Sequence, residues 1–316
     1  MRTVAVRKTG DTPELMELPV PHPAPGEVLV KLAAASLNPI DIDIAKGRLP
    51  MPQVFPLVLG VDGAGRVTEV GEGVRGLKAG DVVHGQFLRA PLGHGTFAEY
   101  ALVTEAPDGG ALQRVPDGMP AEIAAALPTA GMAATGILET IGLQSGQSIL
   151  VVGATGGVGV FAVQLAAARG AEVIATAGPE AERWIRDLGA AQTVDYTAGE
   201  VAEQVCKTHP DGVDAILDLT RDPDRFAEHA GLVRDGGAAV SAALVATPEL
   251  LASERIAVTN FMMRDKPDLL ARITAEATAA RITVPIQRTV TLDEAPGALA
   301  LNAAGGTRGK TTVRIG

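Results

Sequence analysis

Residues 149–176 read ILVVGATGGVGVFAVQLAAARGAEVIAT, and this stretch constrains the fold more than any other. Glycines at 153, 156, 157 and 159 stand between an apolar β-branched run and an apolar helical segment that Gly170 closes. Residues without a Cβ let backbone N–H groups approach a pyrophosphate, and the helix N-terminus then faces its negative charge. Gly159 also allows close packing of helix on strand. A second strand, EVIATA, follows at the spacing that separates a dinucleotide site from a purely structural tight turn. Gly153, Thr155, Gly156, Gly157, Val158 and Gly159 are therefore the candidate cofactor cradle. The stretch is long enough to imitate a membrane span, but four glycines within seven residues favour strand, turn and helix.

The turn sits near the middle of 316 residues, so something folds before it. Upstream, TVAVRK, GEVLVKLAAASLN, AGRVTEVG, GDVVHG and FAEYALV are short and β-rich, each bounded by Gly, Pro or Asp. Strands without long helices between them predict a barrel-like β unit. PAEIAAALPTAGMAATGILETIGL is helical in composition, broken at Pro128 and ended by Gly142. From SILVVGA onward, apolar strands alternate with helices, the pattern of a parallel sheet covered on both faces. ERIAVTNF reads as its last strand, followed by a helix, PDLLARITAEATAA, and a final strand, KTTVRI. The expected division is a β-rich domain over 1–117, a dinucleotide-binding domain over 118–262, and a return to the first domain over 263–316.

A net charge of −10 speaks against a nucleic-acid partner, which would meet a basic face. The one cysteine, Cys206, permits no internal disulfide and no cysteine-rich metal site, as in a reduced compartment. The opening MRTVAVRKTG has no apolar run of the signal-peptide kind. The cytoplasm is the expected location.

The end of the second strand bears on the cofactor. An NAD site usually carries Asp or Glu there for the ribose 2′-hydroxyl. This chain has Thr176, Ala177 and Gly178. An acid about 4 Å from a 2′-phosphate would cost roughly 4 kcal/mol at an effective dielectric of 20, so its absence favours NADP. Arg183 and Tyr196 are candidate phosphate contacts, although Glu180 and Glu182 flank the arginine and simple solvation of Arg183 is the alternative. Leu219 and Ser241, at the ends of the next two strands, complete the candidate cofactor contacts.

Together NPIDIDIAKG (38–47), FPLVLGVDGAGRVTEVGEGV (55–74), GTFAEYALV (95–103), LPTAGMAATGIL (127–138), GATGGVGVFAVQLA (153–166) and GKTTV (309–313) resemble the medium-chain dehydrogenase/reductase superfamily. The similarity is greatest to its zinc-independent quinone oxidoreductase branch. It implies a GroES-like β-rich catalytic domain, a Rossmann doubly wound parallel sheet, and an active site in the cleft between them. The zinc branch carries Cys near the first catalytic loop and a Gly-His-Glu motif. Here Asn38 and Gly60-Val61-Asp62 stand instead, and valine offers zinc no ligand. No metal is expected.

Without a Lewis acid to stabilise an alkoxide, the acceptor must itself be electrophilic, a quinone or an α,β-unsaturated carbonyl. The resemblance implies that Asn38 faces the nicotinamide and substrate and that Thr129 fixes the cofactor, both as uncharged donors to the developing oxyanion. As alternatives, Asn38 is a turn residue before Pro39 and Thr129 a helix cap. Relatives carry a tyrosine where this chain has Asp43, which is expected to face solvent. Competing readings are an enoyl-thioester reductase and a non-catalytic NADPH-binding protein. A short-chain dehydrogenase fails, because Tyr100 and Tyr196 are followed at the Tyr-x-x-x-Lys spacing by Thr104 and Glu200. A homodimer is expected through ERIAVTNF, a sheet edge that would otherwise stay unpaired.

Overall fold

The computed structural model describes residues 1–105, 112–263, 268–305 and 307–316. The chain divides into two compact units, one formed by 1–132 with 265–316, the other by 133–264.

The first unit holds two sheets. One runs Glu14–Glu17, Arg2–Val6, Gln53–Val58, Leu92–His94 from edge to edge. The other runs Ile286–Thr291, Lys310–Arg314, Glu27–Ser36, Asp62–Val70, Val82–Gln86, Leu112–Arg114. Tyr100–Thr104 also pairs antiparallel with the first half of Glu27–Ser36, while Lys310–Arg314 pairs antiparallel with its end. Alternation along Glu27–Ser36 sends Val28, Val30 and Leu32 to one face, where they pack with Leu57, Leu59 and Phe97 in a buried core. Each such side chain contributes roughly 1.5–3 kcal/mol on burial.

This unit extends past residue 117, to 132. The reason is a seam of alanines: Ala124 and Ala125 of the helix Ala121–Ala126 lie against Ala34 and Ala64 of the sheet. Small side chains allow that close approach. Gly131, in the next helix, Pro128–Ile141, repeats the device. A Cβ there would come 2.6 Å from Ile273 of the returning helix Leu269–Thr278. His84 ties the same elements together. Its Nδ1 lies 2.8 Å from the Ala124 carbonyl, and Gln113 Nε2 approaches its Nε2 at 3.0 Å. Burial pushes the His84 pKa down to about 4, so the ring is neutral.

The returning segment holds more than the expected helix and strand. Between Leu269–Thr278 and Lys310–Arg314 lie a strand, Ile286–Thr291, and a helix, Ala295–Ala304. Pro296 and Gly297 concealed that helix from a propensity reading, yet proline is tolerated in a first turn, whose N–H groups have no helical partner.

The second unit is a wholly parallel six-stranded sheet, ordered Gln192–Val194, Glu172–Thr176, Ser148–Val152, Val213–Asp218, Val233–Ser241, Ala257–Asn260. In chain order within the unit that is 3-2-1-4-5-6, the doubly wound arrangement, with strand order reversing at Ser148–Val152. Gly170 and Gly189 end the helices that follow the first two strands, at φ +78° and +113°. The all-apolar strands and the glycine stops were both legible in the sequence. No described helix is long and apolar enough to cross a membrane.

Candidate functional site

In the first unit, a buried polar network gathers where the strand Glu27–Ser36 ends. Asn38 precedes Pro39, which holds it extended (φ −138°, ψ 153°), and it opens the short helix Pro39–Ala45. Its backbone N–H donates to Asp41 Oδ2 at 2.7 Å. Its side-chain Nδ2 donates to the Ser36 carbonyl (3.2 Å) and to Asp62 Oδ2 (2.8 Å). Its Oδ1 accepts from Lys310 Nζ at 2.7 Å, and the same ammonium donates to the Leu37 carbonyl at 3.1 Å. An ammonium only donates and a carboxylate only accepts, so the network itself fixes which way the Asn38 amide points.

Two sharp turns place the charged partners. Gly60, at φ +95° against Thr96 and Phe97, leads the chain into the strand that Asp62 opens, and Thr96 Oγ1 donates to the Asp62 carbonyl. Gly309, at φ +57°, lies where a Cβ would come 2.3 Å from the Pro285 carbonyl, and it delivers Lys310 into the interior. Thr129 closes the network from the helix Pro128–Ile141. Its hydroxyl donates to Asp62 Oδ1 at 2.7 Å, its backbone N–H to both carboxylate oxygens, and it accepts from Gln86 Nε2 at 2.7 Å.

Two carboxyls and one ammonium are thus enclosed together. Burial pushes Asp62 above the usual carboxylate range, against Lys310 and the Thr129 and Asn38 hydrogen bonds. Burial first, and then the charge of Asp62, hold Asp41 up to about 8 despite the Asn38 N–H. Burial likewise lowers Lys310, against the pull of both acids. One ammonium neutralises one carboxylate, so the group retains a proton at neutral pH. Asp41 Oδ1 and Gln86 Oε1 are buried without a hydrogen-bond partner.

This geometry corrects the expectation for Asn38. Both hydrogens of its amide are engaged inside the protein, and the residue is only 3% exposed, so it offers no outward donor. Of Asn38, Asp41, Asp62, Gln86, Thr129 and Lys310, only Thr129 is not fully buried. Asp43 also departs from expectation. Instead of facing solvent freely, its side chain is largely covered and pairs with Arg48 at 3.0 Å. Lys310 and Gln86 were not singled out from sequence. Lys310 shares its strand, KTTVR, with Arg314 and two threonines, and Gln86 is uncharged, so neither carried a local signal of burial.

In the second unit, the glycine turn follows Ser148–Val152. Gly153, at φ +80°, donates its N–H to Thr176 Oγ1 at 2.9 Å, and Thr176 is buried. Thr176 thus pins the turn to the neighbouring strand. Gly156 donates back to the Gly153 carbonyl. A Cβ on Gly159 would sit 2.5 Å from the carbonyl oxygens of Gly153 and Ala154, so only glycine fits as the helix Gly159–Ala168 begins. The backbone of Thr155, Gly156, Gly157 and Val158 is what remains partly open between strand and helix.

Leu219 lies beside Gly153, its Cβ 3.2 Å from where a Gly153 side chain would start. Ser241 is fully buried and accepts the Val245 N–H on its hydroxyl. Arg183 and Tyr196 are exposed, on the helix Glu182–Asp187 and just after Gln192–Val194. Glu182 is occupied by Arg186 and Thr193, which relieves the expected competition for Arg183. Sequence reasoning missed one buried pair, His229 Nδ1 with Asp218 Oδ2 at 2.8 Å. Asp218 Oδ1 also holds the turn at Thr220. No group of three or more His, Cys, Asp or Glu side chains is placed to hold a metal ion among the described residues.

Two family models match the chain: an alcohol dehydrogenase GroES-like domain over residues 24–114 and a zinc-binding dehydrogenase domain over 157–268. A chloroplast envelope quinone oxidoreductase homolog of Arabidopsis thaliana is 41% identical over 60% of this chain and 58% of its own length. A mitochondrial NAD(P)H oxidoreductase of Mus musculus is 31% identical over 95% of this chain and 84% of its own. Among solved structures, the quinone oxidoreductase of Coxiella burnetii superposes with a TM-score of 0.87 at 26% identity, covering 100% of this chain and 99% of that one. The three sheets, the glycine turn and these likenesses agree: the chain belongs to the medium-chain dehydrogenase/reductase superfamily, among its quinone oxidoreductases.

Proposed function

We propose that this protein is an NADPH-dependent oxidoreductase that transfers hydride to a quinone or an α,β-unsaturated carbonyl without zinc. The observation that carries the reading is the glycine turn at the point where strand order reverses. It is a turn packed so closely on its helix that a Cβ at Gly159 would collide with the Gly153 and Ala154 carbonyls, and it is pinned by Thr176. These residues fit a dinucleotide. The backbone from Gly156 to Gly159 would hold its pyrophosphate at the helix N-terminus. Thr176 in place of an acid, with Arg183 and Tyr196 exposed beyond it, favours the 2′-phosphate form. The bound nicotinamide would supply the hydride.

Zinc independence rests on Asn38 and Val61, which stand where the zinc branch has ligands, and on the commitment of Asn38 to Lys310 and Asp62. With no Lewis acid, the acceptor must stabilise charge through conjugation. An NADPH-oxidation assay against quinones and enones, with metal analysis of the same sample, tests this. Turnover that follows bound zinc, or none with any acceptor, overturns it. An enoyl-thioester would be reduced by the same chemistry, but no basic entry for a long carrier is identified. We also propose a homodimer through the edge strand Ala257–Asn260 and a cytoplasmic location, which fractionation of the source cells checks.

A further inference from the structure

The glycine turn has a wall on each side. Strand order puts Glu172–Thr176 on one side of Ser148–Val152 and Val213–Asp218 on the other. Thr176 makes the first wall, through the Gly153 N–H at 2.9 Å. Leu219 makes the second. Its backbone N–H donates to the Val152 carbonyl at 3.1 Å, and its Cβ lies 3.2 Å from where a Gly153 side chain would start. Leu219 and Thr220 are partly exposed at the carboxyl end of the sheet, where a doubly wound fold takes its ligand.

The second wall is held from beneath. Asp218 is fully buried and stands opposite Val152 in the sheet. Its Oδ1 accepts both the backbone N–H and the hydroxyl of Thr220, each at 2.7 Å. Its Oδ2 lies 2.8 Å from Nδ1 of His229, which is buried on the helix Pro223–Gly231. A carboxylate only accepts, so Nδ1 carries the hydrogen whatever the charge of the ring. Phe226 and Ala230 supply that helix with apolar packing in the core of the unit. An apolar side chain at 229 would fill the same space without desolvating a polar pair. What the imidazole adds is direction: it orients the Asp218 carboxyl, and the carboxyl orients both polar groups of Thr220.

We propose that His229 is a positioning residue of the cofactor cradle, acting through Asp218 to set Leu219 and Thr220 as the second wall of the glycine turn. The proposal rests on the dinucleotide reading above. Without the Nδ1 hydrogen, Oδ2 is left unpaired in the interior, and the carboxyl rotates to recover a donor. Thr220 then loses its hold, and Leu219 is free to drift from Gly153. The disturbance stays local, because Asp222 caps the following helix by accepting the Asp224 and Arg225 N–H groups.

Amide hydrogen exchange of the cofactor-free protein reads the wall without any turnover. In His229→Leu, the Leu219 and Thr220 amides should exchange about tenfold faster, the weight of one hydrogen bond to a charged group. Leu217 and Ala239, in the middle of their strands, should keep wild-type protection. NADPH binding, followed by fluorescence titration, should weaken by the same factor. His229→Asn places an amide nitrogen where Nδ1 was and should restore both readouts. His229→Gln places it where Nε2 was and should behave as His229→Leu does; it also stands in for that variant if leucine prevents folding. Wild-type exchange at Leu219 and Thr220 in His229→Gln, or faster exchange there with NADPH affinity unchanged, overturns the proposal. A wild-type protein that binds no dinucleotide sinks the functional reading instead, and exchange alone then decides whether His229 holds the turn.

Discussion

Lys310 Nζ donates to Asn38 Oδ1 at 2.7 Å, across 272 residues of sequence, and this contact sets which way the Asn38 side-chain amide points. With its oxygen held by the ammonium, the amide nitrogen can only face Ser36 and Asp62.

Asn38→Ala should therefore act first on stability, lowering it by about 1–3 kcal/mol for the buried groups left unpaired. Lys310→Met should cost about 3–5 kcal/mol, because it leaves a buried carboxylate without its cation. Combining it with Asp62→Asn should recover most of that loss in urea unfolding. A double variant no more stable than Lys310→Met refutes the pairing.

His84 should give the fold an acid-side sensitivity. Its folded-state pKa, about 4, lies below the ordinary 6.5, so the unfolded chain takes up the proton first. The stabilising contribution is complete above pH 6.5 and is lost as pH falls towards 4, by roughly 3 kcal/mol in all. Denaturant midpoints at pH 6.5 and 4.5 should separate in the wild type and converge in His84→Gln. Equal separation in both proteins would remove His84 from the account.

The glycine turn predicts a graded series. Thr176→Val removes the acceptor of the Gly153 N–H and should cost about 1–3 kcal/mol, while Thr176→Ser keeps it. Gly159→Ala forces a methyl group against two backbone carbonyls that cannot move aside, so it should abolish NADPH binding in fluorescence titration. A Gly159→Ala protein that binds normally would show that the turn is not the cradle.

How much of this was legible in the sequence follows from how local each feature is. The strand, glycine turn and helix lie within one short stretch, and each glycine answers a nearby steric demand, so the motif could be read directly. The alanine seam of Ala34, Ala64, Ala124 and Ala125 could not, because alanine is equally at home in an exposed helix. The same holds for Lys310. It stood inside a quoted motif, yet nothing near it in sequence says that it is buried or which acid it meets. Asn38 was found by resemblance, but its role was read as outward because the inward partners come from distant strands.

Cofactor choice should follow the missing acid at the second strand. NADPH should bind severalfold more tightly than NADH, and Arg183→Ala should weaken NADPH alone. Equal weakening of both cofactors would place the phosphate contact elsewhere.

Among the described residues the edge strand Ala257–Asn260 pairs with one neighbouring strand only, Val233–Ser241, and Leu251 and Met262 near it in sequence are exposed, at 44% and 45%. Light scattering at micromolar concentration should return twice the chain mass, and Thr259→Pro should halve it. A monomeric wild-type protein would refute the dimer.

The strand Lys310–Arg314 lies between Ile286–Thr291 and Glu27–Ser36, and it also carries the ammonium of the buried network. During synthesis, the unit over 133–264 is contiguous and can close on the ribosome as soon as its last strand emerges. The unit begun by the first residue cannot. Its central strand waits for a neighbour, and Asp62 for a countercharge, until residues 310–314 have been translated. A nascent chain stalled before that point exposes both an open sheet edge and an uncompensated acid, the features by which chaperones and proteases tell unfinished protein from finished.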